Sequence, residues 1–546
     1  MNRLDASKSA VAASRDRRLQ ETRGLIAADE KEALVHRYHP DYKTDAYRTI
    51  RIGPNAGEPT VHELADLLEA GSPVDARDAT AWQYQTDVLV VGGGGAGAAA
   101  ALTAQAAGAR VLLATKLRLG DSNTVMAEGG MQVAVSPTDS PIRHYLDTLR
   151  GGQMKNDPAL LKTLVSEGPE ATQWLMRLGV LFDRENDGTL SLRAGGGSST
   201  PRLLRCKDYT GLEMMRVLKD EVLNRQIDLL EFSPIVELTT DAAGACTGAI
   251  LRNLDTKQPI VVQAKTVILA TGGIGRLHIQ GFPTSNHYGA TADGLPVAYR
   301  AGARLTLQDT FQYHPTGAVF PEPMAGILVT EAIRAVGAHL VNAAGDRFIN
   351  ELETRDAVAA AVIRECEAGR GVETIAGRRG VWLDMPMVDL INGPGTLTHR
   401  FPNMVRQYTR YKIDIQKEPV LIYPTLHYQN GGIKIDVDGE SDVRNLFVAG
   451  EASGGLHGRN RLMGNSLLDI IVYGRRAGRA AAGRASGIGF GETTLRHIAA
   501  FNATRAAAGL TSNAISPIFF PRNAQPARES ESTPAADEIH HGATSR

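Results

Sequence analysis

The sequence predicts an α/β fold in which a domain built on a parallel sheet is discontinuous along the chain and interrupted by an inserted α+β domain. Three observations predict it. Residues 86–97, TDVLVVGGGGAG, pass from a buried-strand pattern through glycines into an alanine-rich stretch, which is the pattern of strand, turn and helix. Two further apolar runs, TVILATGG from Thr266 and NLFVAGE from Asn445, each stop at small residues, as strands do when their carboxyl ends face a ligand crevice. Between these runs, residues 306–424 carry their own turns and helical stretches, such as Arg355 to Cys366, and read as an insertion able to close over a site.

Taken in order, residues 1–85 read as an N-terminal extension of modest structure. Its one amphipathic stretch is Val61 to Ala70, where Thr60 and Glu63 fit a capping box and Val61, Leu64, Leu67 and Leu68 form an apolar stripe. Residues 86–305 read as the first part of the split domain. A strand over Asp87 to Val91, a helix ending near Gly108 and a second strand over Arg110 to Ala114 open it. Residues 306–424 form the inserted unit, and 425–486 return to the split domain. Residues 487–546 read as a C-terminal helix and a disordered tail, because beyond about 510 the composition shifts to Ser, Pro and Glu, with ISPIFFP at 515–521 its only apolar piece.

Composition bounds the function. At 546 residues and 43% apolar content the chain has room for about three or four domains with sizeable cores. Lys plus Arg number 59 against 60 Asp plus Glu, so no net field recruits nucleic acid or an anionic membrane, and anion binding must come from locally placed cations. The three cysteines, Cys206, Cys246 and Cys366, stand far apart without a CxxC or CxxCH pair. No iron–sulfur cluster, zinc ribbon, c-type haem or other metal site is therefore expected, and any electron donor is a separate molecule. The first thirty residues lack the apolar core of a signal peptide, and nowhere do 18 apolar residues run together, so the expected compartment is the cytoplasm with no direct membrane span.

Gly92, Gly94 and Gly97 satisfy the GxGxxG pattern directly after a strand and at the start of a helix. There, glycines permit the tight turn and the close approach of backbone to a pyrophosphate. Where an acid commonly takes the ribose hydroxyls, the second strand ends in Thr115 and Lys116. Thr115 can still bond a ribose, and NAD becomes the weaker candidate dinucleotide.

Over residues 86–485 the chain resembles the flavoprotein family of succinate dehydrogenase, fumarate reductase and L-aspartate oxidase. The matching segments, in order, are ATGG (Ala270 to Gly273), TADG (Thr291 to Gly294), HPTG within FQYHPTG (311–317), TEAIR (330–334) and HGRNRL (457–462). The resemblance implies a Rossmann-like FAD-binding domain interrupted by a capping domain. It assigns cofactor contacts to Gly92, Gly94, Gly97, Thr115, Lys116, Ser122, Asn123, Thr124, Ala127, Gly129, Gly130, Ala270, Thr271, Gly272, Asp293, Glu451, Ser466 and Leu467. The segment SNTVMAEGG (122–130) resembles the family's SHTVAAEGG, whose histidine bonds covalently to the flavin. Asn123 stands at that position, so FAD is expected to be non-covalent, with a lower flavin potential that favours reducing fumarate.

Holding a four-carbon dianion in a dry pocket requires paired cations or hydrogen-bond donors. The resemblance places His314 and Thr330 on one carboxylate and His427 and Arg461 on the other. Reducing an activated alkene also needs a proton delivered opposite the hydride. Arg355, in TRDAVAAAV, is the implied donor, with Glu331 and Arg334 as its relay from solvent, although a guanidinium is ordinarily a poor acid.

The chain departs from the family pattern at three places. After TEAIR the usual GEGG is replaced by Ala335, Val336, Gly337 and Ala338, which removes an acid from the relay's neighbourhood. The C-terminal helical domain of the longer members is mostly missing after Ser486. This weakens the expectation of docking to a conventional iron–sulfur protein of that type, and the expected partner is a separate iron–sulfur or other electron-transfer protein. The glutamate and histidine that accompany aspartate oxidation have no counterpart in Gly195 to Ser199, although Asp208 is a nearby acid. The expected function is FAD-dependent hydride transfer to or from a four-carbon dicarboxylate. L-aspartate oxidase is one alternative, and a flavin-bearing electron-transfer subunit with an unused pocket is another.

Overall fold

The computed structural model describes residues 3–75 and 81–521; the part of the expected disordered tail beyond 521 lies outside the described residues. Its largest sheet is a parallel array in the order Asp228–Leu230, Val111–Ala114, Tyr84–Val91 and Pro259–Leu269. The long last strand then forks. Its far end pairs in parallel with Leu446–Val448, while its near end pairs antiparallel with Cys246–Arg252, which in turn pairs with Ile235–Thr240. Val88 to Val91 are buried, as expected for a parallel strand covered on both faces.

Two helices lie against one another along this sheet, Gly95–Ala106 and Asn465–Ser486. Their closeness follows from small residues. A Cβ on Gly474 would stand 2.6 Å from the Ala96 carbonyl oxygen, and one on Gly478 2.4 Å from that of Ala100. The amino-terminal ends of both helices come together at the carboxyl edge of the sheet.

A second, antiparallel sheet runs in the order Phe311–Ala318, Val420–Gln429, Arg379–Asp384 and His339–Val341. The helix Arg355–Glu367 packs on it, and its Val358 and Val362 share one buried core with Leu340, Val381, Leu383 and Ile422. The strand Val420–Gln429 crosses position 424, so the boundary expected there cuts an element.

The N-terminal extension differs most from expectation. It contains helices over Arg3–Ala13, Arg15–Leu19 and Ala28–Tyr38, whose anchors are largely polar and leave a faint apolar period. Trp382 donates its indole N–H to Ser7, and Arg15 and Arg18 both bond Asp384. Further along, the Val61–Leu68 stripe is buried as expected, on the helix His62–Glu69. The capping box does not form. Thr60 donates to the Gln308 carbonyl at 2.7 Å and Glu63 accepts from the Gln280 amide at 2.8 Å, so tertiary partners take both side chains.

Candidate active site

The turn after Tyr84–Val91 is tight because glycine is required at both of its ends. Gly92 has a φ of +127°, and a Cβ on it would stand 2.1 Å from the Ala270 oxygen; a Cβ on Gly97 would stand 1.8 Å from the Gly92 oxygen. Backbone therefore reaches where side chains would otherwise intrude, and Gly92 to Ala96 line a cavity of about 440 Å³. This cradle fits a dinucleotide.

The same cavity is lined by Thr115, Lys116, Ser122, Asn123, Thr124, Ala127, Gly129, Gly130, Ala270, Thr271, Gly272, Asp293, Glu451, Ser466 and Leu467. It ends at His314, Thr330, Glu331, Arg355, His427 and Arg461. Of the expected residues, Gly97 and Arg334 do not line it. Gly97 packs its helix against the turn, and Arg334 stands beside Glu331, with Nη2 at 3.6 Å from Glu331 Oε1. Lys116 Nζ lies 2.8 Å from Asp293 and donates to Thr291 at 2.6 Å, so the cation after the second strand is matched within the site.

Asn123 is held from both sides. Its amide N–H donates to Asn286 Oδ1 at 2.6 Å and reaches Glu451 Oε2 at 3.3 Å, while its oxygen accepts from the His287 N–H at 2.6 Å. Burial pushes the Glu451 carboxyl up to about 7, against the pull of the Gln429 N–H, the Asn123 amide and Arg461.

At the other end the helix Arg355–Glu367 sets its first residue against Glu331, just before the helix Ala332–Ala335, and against Gln312 on the strand Phe311–Ala318. Arg355 Nε donates to Glu331 at 2.6 Å, and Arg355 Nη1 donates to Gln312 Oε1 at 2.7 Å. Arg461 Nη2 donates to the same Gln312 oxygen at 2.9 Å, and its guanidinium lies 4.3 Å from the centre of the Tyr428 ring. Burial, then Arg355, lowers Arg461 to about 10. Burial raises the Glu331 carboxyl, but Arg355 and Arg334 outweigh it and hold the group below its ordinary value.

Burial, reinforced by Arg355 and Arg461, also pushes His314 and His427 well below the usual imidazole range, so both rings are neutral at pH 7. His314 Nδ1 lies 3.3 Å from the Thr316 amide nitrogen and 3.1 Å from its hydroxyl oxygen, which fix the ring from that side. Arg355 and Arg461 thus face this end with Glu331 as their one ionised carboxylate, and Arg334 stands behind that carboxylate, so the end is net positive and suited to an anion.

Some residues of the site gave no functional signal in the sequence. Gln312 shares a strand face with His314, a period-two placement that could have drawn attention to it. Asn286 and Ser285, the latter 2.7 Å from His427 Nδ1, sit on a loop with no periodicity. Asp208 lines the cavity, yet its carboxylate accepts from the Asn403 and Met404 N–H groups and so caps the helix Pro402–Thr409. The Gly195–Gly197 loop packs behind Glu331. A Cβ on Gly196 would stand 2.3 Å from Glu331 Oε1.

A glycine cradle at the edge of a parallel sheet, opening into a chamber of excess positive charge, defines a dinucleotide-dependent oxidoreductase of mixed helix-and-sheet fold. The FAD binding domain family model matches residues 87–467, and the chain belongs to this family of FAD-dependent flavoproteins. It is 40% identical over 409 residues to one of the subunits of the CoM/CoB fumarate reductase of Methanothermobacter marburgensis, covering 73% of each chain. It is 37% identical over 411 residues to the L-aspartate oxidase of Streptomyces coelicolor, covering 73% of this chain and 68% of that one. Among solved structures, the FrdA chain of E. coli quinol fumarate reductase superposes with a TM-score of 0.70 at 32% identity, covering 79% of this chain and 74% of that chain. No described helix is long and apolar enough to cross a membrane.

Proposed function

We propose that the protein interconverts fumarate and succinate, or a close four-carbon dicarboxylate analogue, with FAD held non-covalently. The observation that carries this reading is the continuity of one cavity from the glycine cradle to a chamber where Arg355 and Arg461 face a single ionised carboxylate, Glu331. FAD, when bound, supplies hydride donor and acceptor chemistry. His314 and Thr330 bind one carboxylate, and His427 and Arg461 bind the other. Arg461 is kept in place by Gln312 and Ser466. Arg355 delivers the proton, and Glu331, bonded to its Nε, returns one to it. Arg334 extends the path outward, with its Nε free of any hydrogen-bond partner among the described residues. The antiparallel lobe, which contributes His314, Thr330, Glu331 and Arg355, serves as the cap that excludes water.

L-aspartate is the competing substrate, favoured by the likeness to L-aspartate oxidases. Against it stand the glycines at 195–197 and the engagement of Asp208 with a helix end. Titration separates the two, since fumarate is expected to reoxidise the reduced flavin and L-aspartate to leave the oxidised flavin absorbance unchanged. Bleaching by aspartate alone overturns the proposal. With fumarate and a reduced dye, Arg355→Gln is expected to lower turnover by about 10³-fold while retaining its flavin. A wild type that binds flavin but turns over no fumarate would instead indicate an electron-transfer subunit. Acid precipitation is expected to leave a colourless pellet and a yellow supernatant, because Asn123 offers no group for a covalent link.

A further inference from the structure

The segment 26–41 lies outside the family match, which begins at residue 87, yet it touches both supports of the guanidinium cluster. The first support is the helix that begins at Arg355. Two residues before it, Glu353 is 2% exposed; it accepts from the Ile26 N–H at 2.8 Å and pairs with Lys31 at 2.6 Å. Leu34, on the helix Ala28–Tyr38, joins the core formed by Val358 and Val362 on the next turns of the Arg355 helix. The second support is the strand that carries Gln312. Asp41, with its side chain 7% exposed, accepts from the Phe311 N–H at 3.2 Å, and the His39 ring meets Tyr313 edge-on at 5.5 Å. Gln312 lies between these two contacts, and its single carbonyl oxygen receives both Arg355 and Arg461.

We propose that this segment is a positioning element for the site, setting Arg355 through Glu353 and setting the shared Gln312 contact through Phe311 and Tyr313. The two contacts have separable effects. A displaced Arg355 misplaces the proton at the reacting carbon and slows the chemical step without altering how the dicarboxylate is gripped. A displaced Gln312 releases Arg461 as well and loosens that grip. Small displacements are enough, since rates of oriented reactions fall steeply with misplacement. The inference rests on the reading of Arg355 as proton donor.

Its test uses the full-length, FAD-loaded protein. Lys31→Met and Glu353→Gln are expected to lower kcat for dye-driven fumarate reduction by roughly tenfold, with KM within about twofold of wild type and flavin content unchanged, and Lys31→Arg is expected to restore kcat. Asp41→Leu is expected to lower kcat and also to weaken the binding of malonate, read from the flavin difference spectrum, whereas Lys31→Met leaves malonate binding intact. Wild-type kcat in both Lys31→Met and Asp41→Leu overturns the proposal. So does a loss of kcat that merely follows loss of flavin or of thermal stability. If Arg355→Gln itself retains full turnover, the proton-donor reading fails. The malonate arm still reports on the Asp41 contact alone.

Discussion

Glu451 illustrates how burial writes a pH dependence into a single side chain. Its folded value is raised to about 7 from an ordinary 4.5, so the folded state holds this proton more firmly than the unfolded chain does. The resulting stabilisation is fully present below the unfolded value and is lost as pH rises through about 7, a loss of roughly 3 kcal/mol for a shift of this size. Between pH 5 and pH 8 the melting temperature of the flavin-free protein is therefore expected to fall more in the wild type than in Glu451→Gln. Equal slopes in the two proteins would contradict it. At the other end of the cavity, Gln312 accepts from two cations at once, and Gln312→Leu removes both charge-assisted bonds. A fall in kcat/KM for fumarate of about ten- to a hundredfold is expected, read by steady-state assay with flavin content as control.

At the scale of elements, the strand, glycine turn and helix at the start of the family region were legible because their requirements are local. A turn that must admit a pyrophosphate demands glycines at set offsets, and the strand before it demands an apolar run. Gly97→Ala places a methyl against the Gly92 oxygen, and the protein is expected to be isolated largely without flavin, as measured by the absorbance ratio of flavin to protein. The stripe on His62–Glu69 was legible for a similar reason, being periodic. Its supposed capping box was not, since the side-chain oxygens that could close locally found tertiary partners in Gln308 and Gln280. The glycines at 195–197 could be read only as a missing acid; that one of them makes room for Glu331 depends on a contact 135 residues away in the chain.

The molecule as a whole is tied together by the part of the chain that looked least structured. Helices over Arg3–Leu19 lie on the antiparallel lobe, and the chain from Tyr47 to Glu69 lies on the parallel-sheet lobe, where Asn55 bonds both the N–H and the carbonyl of Leu305. A buried polar anchor is Asp384, which accepts from Arg15 at 2.9 Å and from the fully buried Arg18 at 2.6 Å. Asp384→Ala strands the Arg18 charge in the interior and is expected to cost about 3–5 kcal/mol of stability, checked by denaturant unfolding. An unchanged midpoint would mean that this anchor contributes nothing to the fold.

By itself the sequence determined a dinucleotide-binding turn and the parallel-sheet element that carries it, because those rest on short-range spacing, and the ordered family motifs marked the cofactor as FAD. Only the tertiary structure decided that Gln312 joins Arg355 to Arg461, that Asp208 caps a helix, and that the first seventy residues brace both lobes. Each of these depends on contacts between segments far apart in the chain. Such contacts are formed by packing and burial, which leave no period or motif in either segment alone.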